Sequence, residues 1–419
     1  MIYLLAAIFT IAFGWIAWKD IKLGLGLFAF ILPSYFIRFS FGPLPTTLLE
    51  LAFFALFFVW IIKYRGYCFR DIRLKNWLWP VVFFTLAGVI GVVASPDKTA
   101  ALGILKAYII EPILLFFIIA SVLKTRRDWQ YVFFGLAASA FAISIFAVYQ
   151  KLTGAFIPDA WFVERRVTSV FGFPNAVGLY LGPIIILCFT LFYDFTKTKK
   201  YWAALFFAVV FLTSAVAIAF SQTEAAWIAV AAALFIFAVF RRELRPLAII
   251  LAIMVLLAIA FTPGLQETAV EKLTLQDWSG HVRRVTWAES WNMLAANPLL
   301  GAGLSGYPLA MIEFHEASYL EIFQYPHNLI LNFWSEMGIL GTIAWLWLVG
   351  RSLWICFRAE QESNIALGLA VIFIAILIHG LVDVPYFKND LAMMFWIFIG
   401  LAFAIEPKNK KTGQNGLSD

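Results

Sequence analysis

The chain has 419 residues, of which 63% are hydrophobic and only 13% are charged, and its formal net charge is +6. Soluble globular domains carry roughly a quarter charged residues, so this composition excludes that class. Apolar runs long enough to cross a bilayer recur from end to end. We therefore expect an all-α fold, a polytopic helical membrane protein with about 12–13 transmembrane helices and one long extracytoplasmic loop.

The candidate spans predict the topology. They are residues 2–18, 23–37, 46–62, 77–94, 101–123, 131–150, 174–193, 201–219, 223–240, 246–262, 328–350, 365–382 and 386–406. If the connecting segments alternate between the two sides of the membrane, 21 of the 31 basic residues fall on one side. The positive-inside rule makes that side cytoplasmic.

Ten basic residues remain on the other side or inside the spans. They are Arg38, Lys98, Lys106, Lys151, Arg165, Arg166, Lys272, Arg283, Arg284 and Lys388. Because topology explains the positive net charge, we expect membrane lipids as partners and no nucleic acid.

Two adjacent arginines, Arg165 and Arg166, lie in the segment 151–173, on the side that is otherwise poor in positive charge. This placement favours an anion-binding role over chance. Asn175 follows at the start of the next span. We expect it to cap that helix and to orient a ligand at the helix N-terminus, where anions are favoured.

The longest polar segment is residues 263–326, whose 64 residues are too many for a mere connection and long enough to be functional. Helical spacing of apolar residues predicts an amphipathic helix over 282–296, which carries Arg283 and Arg284. A glycine run over 301–306 follows. It lacks the Lys-Ser/Thr end of a nucleotide-binding loop, so it does not predict nucleotide binding.

Tyr325-Pro326-His327-Asn328 closes this polar segment and begins the span 328–350. Polar groups at a membrane surface often indicate function. The same residues also fit an ordinary helix start, with Pro326 near the first turn and Asn328 as a local cap.

His379 and Asp383 are four residues apart at the end of the span 365–382. On a helix they share a face, so the carboxylate could hold the imidazole. A plain capping pair at a helix end explains the same spacing equally well.

Four blocks occur in a fixed order: Phe171 to Asn175, Asn297 to Leu304, Pro326 to Gly341, and His379 to Asp383. Together they resemble the O-antigen ligase and polymerase superfamily of bacterial membrane glycosyltransferases, over roughly residues 165–390. This divides the chain into N-terminal transmembrane helices (1–150), an O-antigen ligase-like catalytic membrane region (151–407) that includes the extracytoplasmic loop 263–326, and a basic cytoplasmic tail (408–419).

The resemblance implies a metal-independent, inverting glycosyltransferase without a cofactor. An acceptor hydroxyl on a lipid, glycan or protein attacks a lipid-linked glycan donor, and the undecaprenyl pyrophosphate carrier leaves. His327 is the expected general base, because imidazole ionises near neutral pH. Arg283 and Arg284 are expected to stabilise the anionic leaving group. The expected substrate-binding residues are Arg165, Arg166, Asn175, Glu224, Asn328, His379 and Asp383.

One position departs from the family pattern. The family commonly has Ser-Arg-Gly or Ser-Arg-Ala between two spans, whereas this sequence has Thr223-Glu224-Ala225. Three explanations stay open: the arginines named above compensate, Glu224 is a second acid–base group, or the chain does not act on the same donor.

The resemblance implies a multi-pass protein of the bacterial inner (cytoplasmic) membrane with an extracytoplasmic active face. It does not separate a ligase from a polymerase. The alternative function is a transporter or flippase of a lipid-linked or anionic solute. Polar groups gather at the outer span ends and in two outer loops, apart from Lys106, Glu111 and Glu336, which favours surface chemistry over conduction.

Overall fold

The computed structural model describes residues 2–42, 44–64 and 71–406, so the predicted tail over 408–419 lies outside the described residues. The α-helices of the described part are α1 (Ile2–Lys19), α2 (Ile21–Phe30), α3 (Leu48–Tyr64), α4 (Lys75–Ala94), α5 (Lys98–Ile104), α6 (Glu111–Val122), α7 (Arg126–Thr153), α8 (Asp159–Phe162), α9 (Pro174–Lys197), α10 (Tyr201–Ser221), α11 (Glu224–Phe240), α12 (Arg245–Phe261), α13 (Pro263–Leu273), α14 (Trp278–Ala296), α15 (Tyr307–Met311), α16 (Leu329–Arg358), α17 (Asn364–Gly380) and α18 (Asn389–Ile405).

Short elements complete the fold. Strands β1 (Arg38–Phe41) and β2 (Leu44–Thr47) form an antiparallel hairpin. A π-helix over Leu105–Ile110 joins α5 to α6, and 3₁₀ turns cover Leu32–Phe36 and Ile72–Leu74.

Seven helical segments of the described chain are long and apolar enough to cross a membrane, or eight if the bent pair Arg245–Phe261 and Gly264–Ala296 forms one span. This confirms the all-α, polytopic helical class. Shorter apolar helices account for much of the difference from the predicted 12–13 spans. For example, α11, α17 and α18 have 17 residues each. At 1.5 Å per residue they are about 25 Å long, slightly less than a typical hydrocarbon core of about 30 Å.

The predicted span 23–37 is not one helix. The helix α2 ends at Phe30, and a 3₁₀ turn containing Pro33 leads into β1. Proline lacks an N–H and clashes with the preceding helical turn, so an α-helix is not continued through this position. The chain instead forms the hairpin at the end of the helical bundle.

The helix α9 lies at the centre of the bundle, against α7, α10, α11 and α17. Buried apolar side chains cover most of its length. In contrast, Ala248 is the single buried residue recorded on α12, whose apolar side chains point outward. A large exposed apolar surface of this kind is expected where a helix contacts lipid.

The helix α16 is interrupted, and the glycine-rich segment 299–306 packs into the interruption. The break is at Gly338, which has φ 65° and ψ −175°. There the Ile339 N–H donates to the Leu299 carbonyl (3.2 Å), and the Ala302 N–H donates to the Ser335 carbonyl (2.8 Å). A side chain at Gly338 would collide with the Leu299 carbonyl. This junction anchors the long polar segment to the N-terminal part of α16, the membrane helix that starts at Leu329.

Candidate active site

Asn328 fixes the start of α16. Its side-chain oxygen accepts hydrogen bonds from the Ile330 and Leu331 N–H groups, and its Nδ2 donates to the Leu381 carbonyl (2.9 Å). The expected helix cap is therefore confirmed. Because the amide is used in these contacts, Asn328 holds the α16 start against the turn that follows α17.

His327 precedes this cap in a strained conformation. Its φ is 49°, a left-handed value that non-glycine residues rarely adopt and that clusters at functional sites. The side chain is 22% exposed, and its Nδ1 lies 3.7 Å from Asp383 Oδ1. The rings of Phe323 and Tyr325 pack edge-on against the imidazole. The structure records no hydrogen bond at His327 Nε2 within the described residues, so this nitrogen is free to accept a proton.

Asp383 is the buried centre of the site. Its Oδ2 accepts a hydrogen bond from Asn175 Nδ2 (3.3 Å), and its Oδ1 accepts one from the Val384 N–H (2.8 Å). Burial alone would raise the pKa of Asp383, but the contacts with His327, His379 and the Val384 N–H outweigh it and lower the pKa to about 2. The carboxylate is therefore charged at neutral pH.

The sequence leaves two interpretations open for His379 and Asp383, and the described residues show no side-chain hydrogen bond between the imidazole and the carboxylate. The helix α17 ends at Gly380, and the following turn directs the Asp383 carboxylate to His327. His379 is buried, and no hydrogen bond to its Nε2 is recorded in the described part of the chain. The Asp383 N–H donates to the His379 carbonyl (3.1 Å), which closes the turn at the end of α17.

Asn175 does not cap α9 as predicted. The helix begins at Pro174, with Phe173 in the cap position. The Asn175 amide is instead the bridge of the site: it donates to Asp383 and accepts from Arg166 Nη2 at 3.5 Å, the outer limit of a hydrogen bond. It thereby links the segment before α9 with the turn after α17.

Arg166 is half-buried. Its Nε donates to the Ser221 carbonyl (3.2 Å), and its guanidinium lies over the Trp161 ring. Burial lowers the pKa of Arg166 below its ordinary value, and the charges of Glu164 and Glu224 oppose this effect. Among the described residues no carboxylate forms an ion pair with this partly desolvated guanidinium, which makes it a suitable partner for an anion.

Arg283 joins the site from α14. Its Nε donates to the Val382 carbonyl (3.0 Å), next to Asp383, and its Nη1 contacts Ser279. Arg284 and Arg165 are exposed, and the described residues supply neither guanidinium with a recorded hydrogen bond or ion pair. The geometry therefore brings Arg166 and Arg283 to the site and leaves Arg165 and Arg284 at its margin.

Glu224 forms an ion pair with Lys272, whose Nζ lies 2.9 Å from Glu224 Oε2 and 2.9 Å from Asp277 Oδ2. Asp277 also caps α14 by accepting a hydrogen bond from the Gly280 N–H. The Glu224 side chain is 63% exposed, so this pair adds little stability. Its geometric effect is to tie the start of α14, which carries Arg283, to the start of α11.

Lys388 is a cation of the site that the sequence analysis did not select. Its ammonium is buried, has no recorded hydrogen bond within the described residues, and lies 3.8 Å from the centroid of the Phe173 ring. Lys272 was missed as well. Both belong to the ten basic residues outside the predicted cytoplasmic loops, the signal that indicated Arg165 and Arg166.

The arrangement combines a proton acceptor, a carboxylate beside it and cations for an anion. No group of three or more His, Cys, Asp or Glu side chains that could hold a metal ion occurs in the described chain. Chemically, these residues suit the deprotonation of a hydroxyl group close to an anionic leaving group.

Residues 208–346 match the family model described as O-antigen ligase. The matched segment contains Glu224, Arg283, Arg284, His327 and Asn328. A comparison with curated proteins finds no match. At the family level, the match supports a multi-pass membrane enzyme of glycosyl transfer that acts in polysaccharide biosynthesis. Over residues 208–346, this match supports the resemblance of the chain to the O-antigen ligase and polymerase superfamily.

Proposed function

We propose that the protein transfers a glycan from an undecaprenyl-pyrophosphate carrier to an acceptor hydroxyl, at the extracytoplasmic face of the bacterial inner membrane. The catalytic region is residues 151–407, and the helices of 1–150 support it in the membrane. One observation carries the proposal. The chain matches the O-antigen ligase family model over residues 208–346, and polar side chains from separate segments form one connected cluster. They are His327, Asp383, Asn175 and Arg166.

His327 is the general base. Its Nδ1 faces Asp383, so Nε2 takes the proton of the acceptor hydroxyl while the hydroxyl oxygen attacks the anomeric carbon. The charged Asp383 carboxylate orients the imidazole and stabilises the imidazolium that forms. Attack from the face opposite the carrier inverts the configuration at the anomeric carbon.

The leaving group is the lipid pyrophosphate, which departs with the electron pair of the broken bond between the anomeric carbon and oxygen. Arg166 and Arg283 neutralise its charge, so the step needs no metal ion. Their backbone acceptors, the Ser221 and Val382 carbonyls, hold both guanidiniums without cancelling their charge.

Glu224 has a positioning role in this proposal. Its pairing with Lys272 disfavours a second acid–base role, and it brings the start of α14 close to the site. Arg166, which hydrogen-bonds the backbone of the same turn at Ser221, supplies the charge that the family places at the Glu224 position.

The test is reconstitution of the purified protein in liposomes with a defined undecaprenyl-pyrophosphate glycan and candidate acceptors. We expect glycan-bearing acceptor and released undecaprenyl pyrophosphate in equal amounts, at a rate that chelators leave unchanged. A counterflow arm in the same liposomes measures movement of the lipid-linked or anionic solute. Solute movement without glycan transfer would overturn the proposal in favour of the transporter.

A further inference from the structure

A polar cavity lies at the end of the bundle where α18 starts. It has a volume of about 390 Å³ and is formed by the β1–β2 hairpin, the π-helix after α5 and the start of α18. Its polar lining includes Arg38, Ser40, Glu50, Lys106 and Asn389. The volume falls within the range of small-molecule sites. Residues of a π-helix are often found at functional sites, and Lys106 lies on one here.

Glu50 is fully engaged by the protein. Its carboxylate accepts hydrogen bonds from Thr46 Oγ1 (2.9 Å) and the Thr47 N–H (3.2 Å), and it pairs with Lys106 Nζ (3.0 Å). The Glu50–Lys106 pair is therefore a neutral part of the cavity wall. The pair shapes the cavity wall and adds no net charge for binding a ligand.

The remaining polar groups have unused hydrogen-bonding capacity. Arg38 is exposed, and in the described structure its guanidinium has no recorded hydrogen bond or ion pair. The Ser40 hydroxyl and the Asn389 side-chain amide likewise have no hydrogen bond recorded among the described residues. The cavity thus presents one uncompensated cation together with two neutral hydrogen-bonding groups.

The segment between α17 and α18 connects this cavity to the proposed active site. It carries Asp383, whose Oδ1 lies 3.7 Å from His327 Nδ1, and it leads into Asn389 of the cavity wall at the start of α18. Tyr386 in the same segment donates a hydrogen bond to the carbonyl of Tyr108 (2.7 Å), another residue of the cavity wall. The cavity wall and the partner of the proposed base are therefore joined through one short segment.

We propose that this cavity is the acceptor subsite, and that Arg38 binds a carboxylate or phosphate substituent of an acceptor saccharide. The inference rests on the proposed function. The planar guanidinium matches both anions with paired hydrogen bonds, and Ser40 and Asn389 offer partners for sugar hydroxyls. The site would favour an anionic saccharide over a neutral one.

The first experiment measures binding without donor. The purified full chain in detergent is titrated with glucuronate, glucose 6-phosphate and glucose by isothermal calorimetry. We expect both anionic sugars to bind about tenfold tighter than glucose, a preference that Arg38→Ala removes and Arg38→Lys retains in part. Arg242→Ala changes an exposed arginine of the predicted cytoplasmic side and serves as the matched control. Equal binding of charged and neutral sugars, or a preference that survives Arg38→Ala, would overturn the inference.

A second experiment separates this inference from the proposed function. In the reconstituted transfer assay, Arg38→Ala raises KM for an anionic acceptor about tenfold and leaves KM for the lipid-linked donor unchanged. If no transfer occurs but Arg38-dependent sugar binding persists, the acceptor role is overturned although the binding site stands. Glycerol 1-phosphate that competes better than glucose 6-phosphate would reassign the cavity to a lipid headgroup and also overturn it.

Discussion

Two histidine–carboxylate pairs, one within the long polar segment and one where it meets α16, differ in the hydrogen bonds that the histidine nitrogens make. His315 Nδ1 lies 3.1 Å from Glu289 Oε2, and its Nε2 lies 3.0 Å from the Leu320 carbonyl oxygen. Glu289 also accepts hydrogen bonds from the Glu316 and Ala317 N–H groups. His327 and Asp383 are 3.7 Å apart, and no hydrogen bond is recorded at His327 Nε2 in the described chain.

This difference separates a structural pair from a reactive one. Both nitrogens of His315 face acceptors, so the ring fits its protonated form, and the contact with Glu289 raises its pKa. Such a pair holds the 312–322 segment against α14 and has no free nitrogen for a substrate. His327 keeps a free nitrogen beside a charged carboxylate. The histidine of the site is therefore distinguished by a ring nitrogen without a hydrogen bond among the described residues, and not by its residue type.

The strongest test of the comparison removes each imidazole. We expect His327→Ala to lower glycan transfer in membranes about 10²–10⁴-fold, the usual contribution of a general base, at unchanged protein abundance. His315→Ala is the matched control and should lower transfer less than about tenfold, because it removes a structural contact. Full transfer by the His327→Ala variant would contradict the assignment.

Asp383→Asn tests whether the carboxylate acts through His327. We expect kcat to fall about 10–100-fold with KM for the donor nearly unchanged, since partners that orient a reactive group have effects of this size. The low pKa of Asp383 means that its stabilising charge is present above about pH 4 and is lost as the pH falls towards 2. Parent activity should accordingly show no Asp383 step above about pH 4. A change in donor KM alone would indicate a binding role instead.

Two asparagines of the site allow a second comparison. Asn175→Ala breaks the link between Arg166 and Asp383, and we expect about a tenfold loss of transfer with little change in the melting temperature. Asn328→Ala removes a helix cap and should destabilise the fold by about 1 kcal/mol. Thermal melting in detergent and transfer kinetics measure both effects. If Asn328→Ala lost transfer without losing stability, and Asn175→Ala lowered the melting temperature instead, the functional and structural roles of the two asparagines would be exchanged.

The smallest expected effect is the pH dependence of the His315 pair. Because the folded state raises the pKa of His315, its stabilisation is fully present below the unfolded pKa of about 6.5. It disappears as the pH rises through the folded pKa. The melting temperature of the parent should exceed that of His315→Gln by a margin that is largest near pH 6 and shrinks at higher pH. A margin independent of pH would exclude this contribution.

Much of the architecture was predictable because it follows from one-dimensional properties of the sequence. Hydropathy predicted the helical membrane class, and the cap at Asn328 follows from local backbone chemistry. The helix expected over 282–296 is present as part of α14, which ends at Ala296 before Asn297-Pro298. Prediction was weaker for span lengths. Hydropathy alone did not show that the helix ends before Pro33, and the ends of the short helices depend on how neighbouring helices pack.

The candidate site likewise combines features that the sequence predicts with features that only the tertiary structure determines. Charge placement indicated Arg166, and the family resemblance indicated Arg283. The sequence blocks indicated His327, Asn175 and Asp383. The tertiary structure decided that the Asp383 carboxylate contacts the imidazole of His327 rather than that of His379. It also decided that Asn175 bridges instead of capping, and that the Lys388 ammonium lies buried over Phe173. The physical reason is that side-chain pairing between distant segments depends on how turns end helices and orient polar groups. Composition and spacing determine which residues are costly to bury, and only packing determines which partners satisfy them.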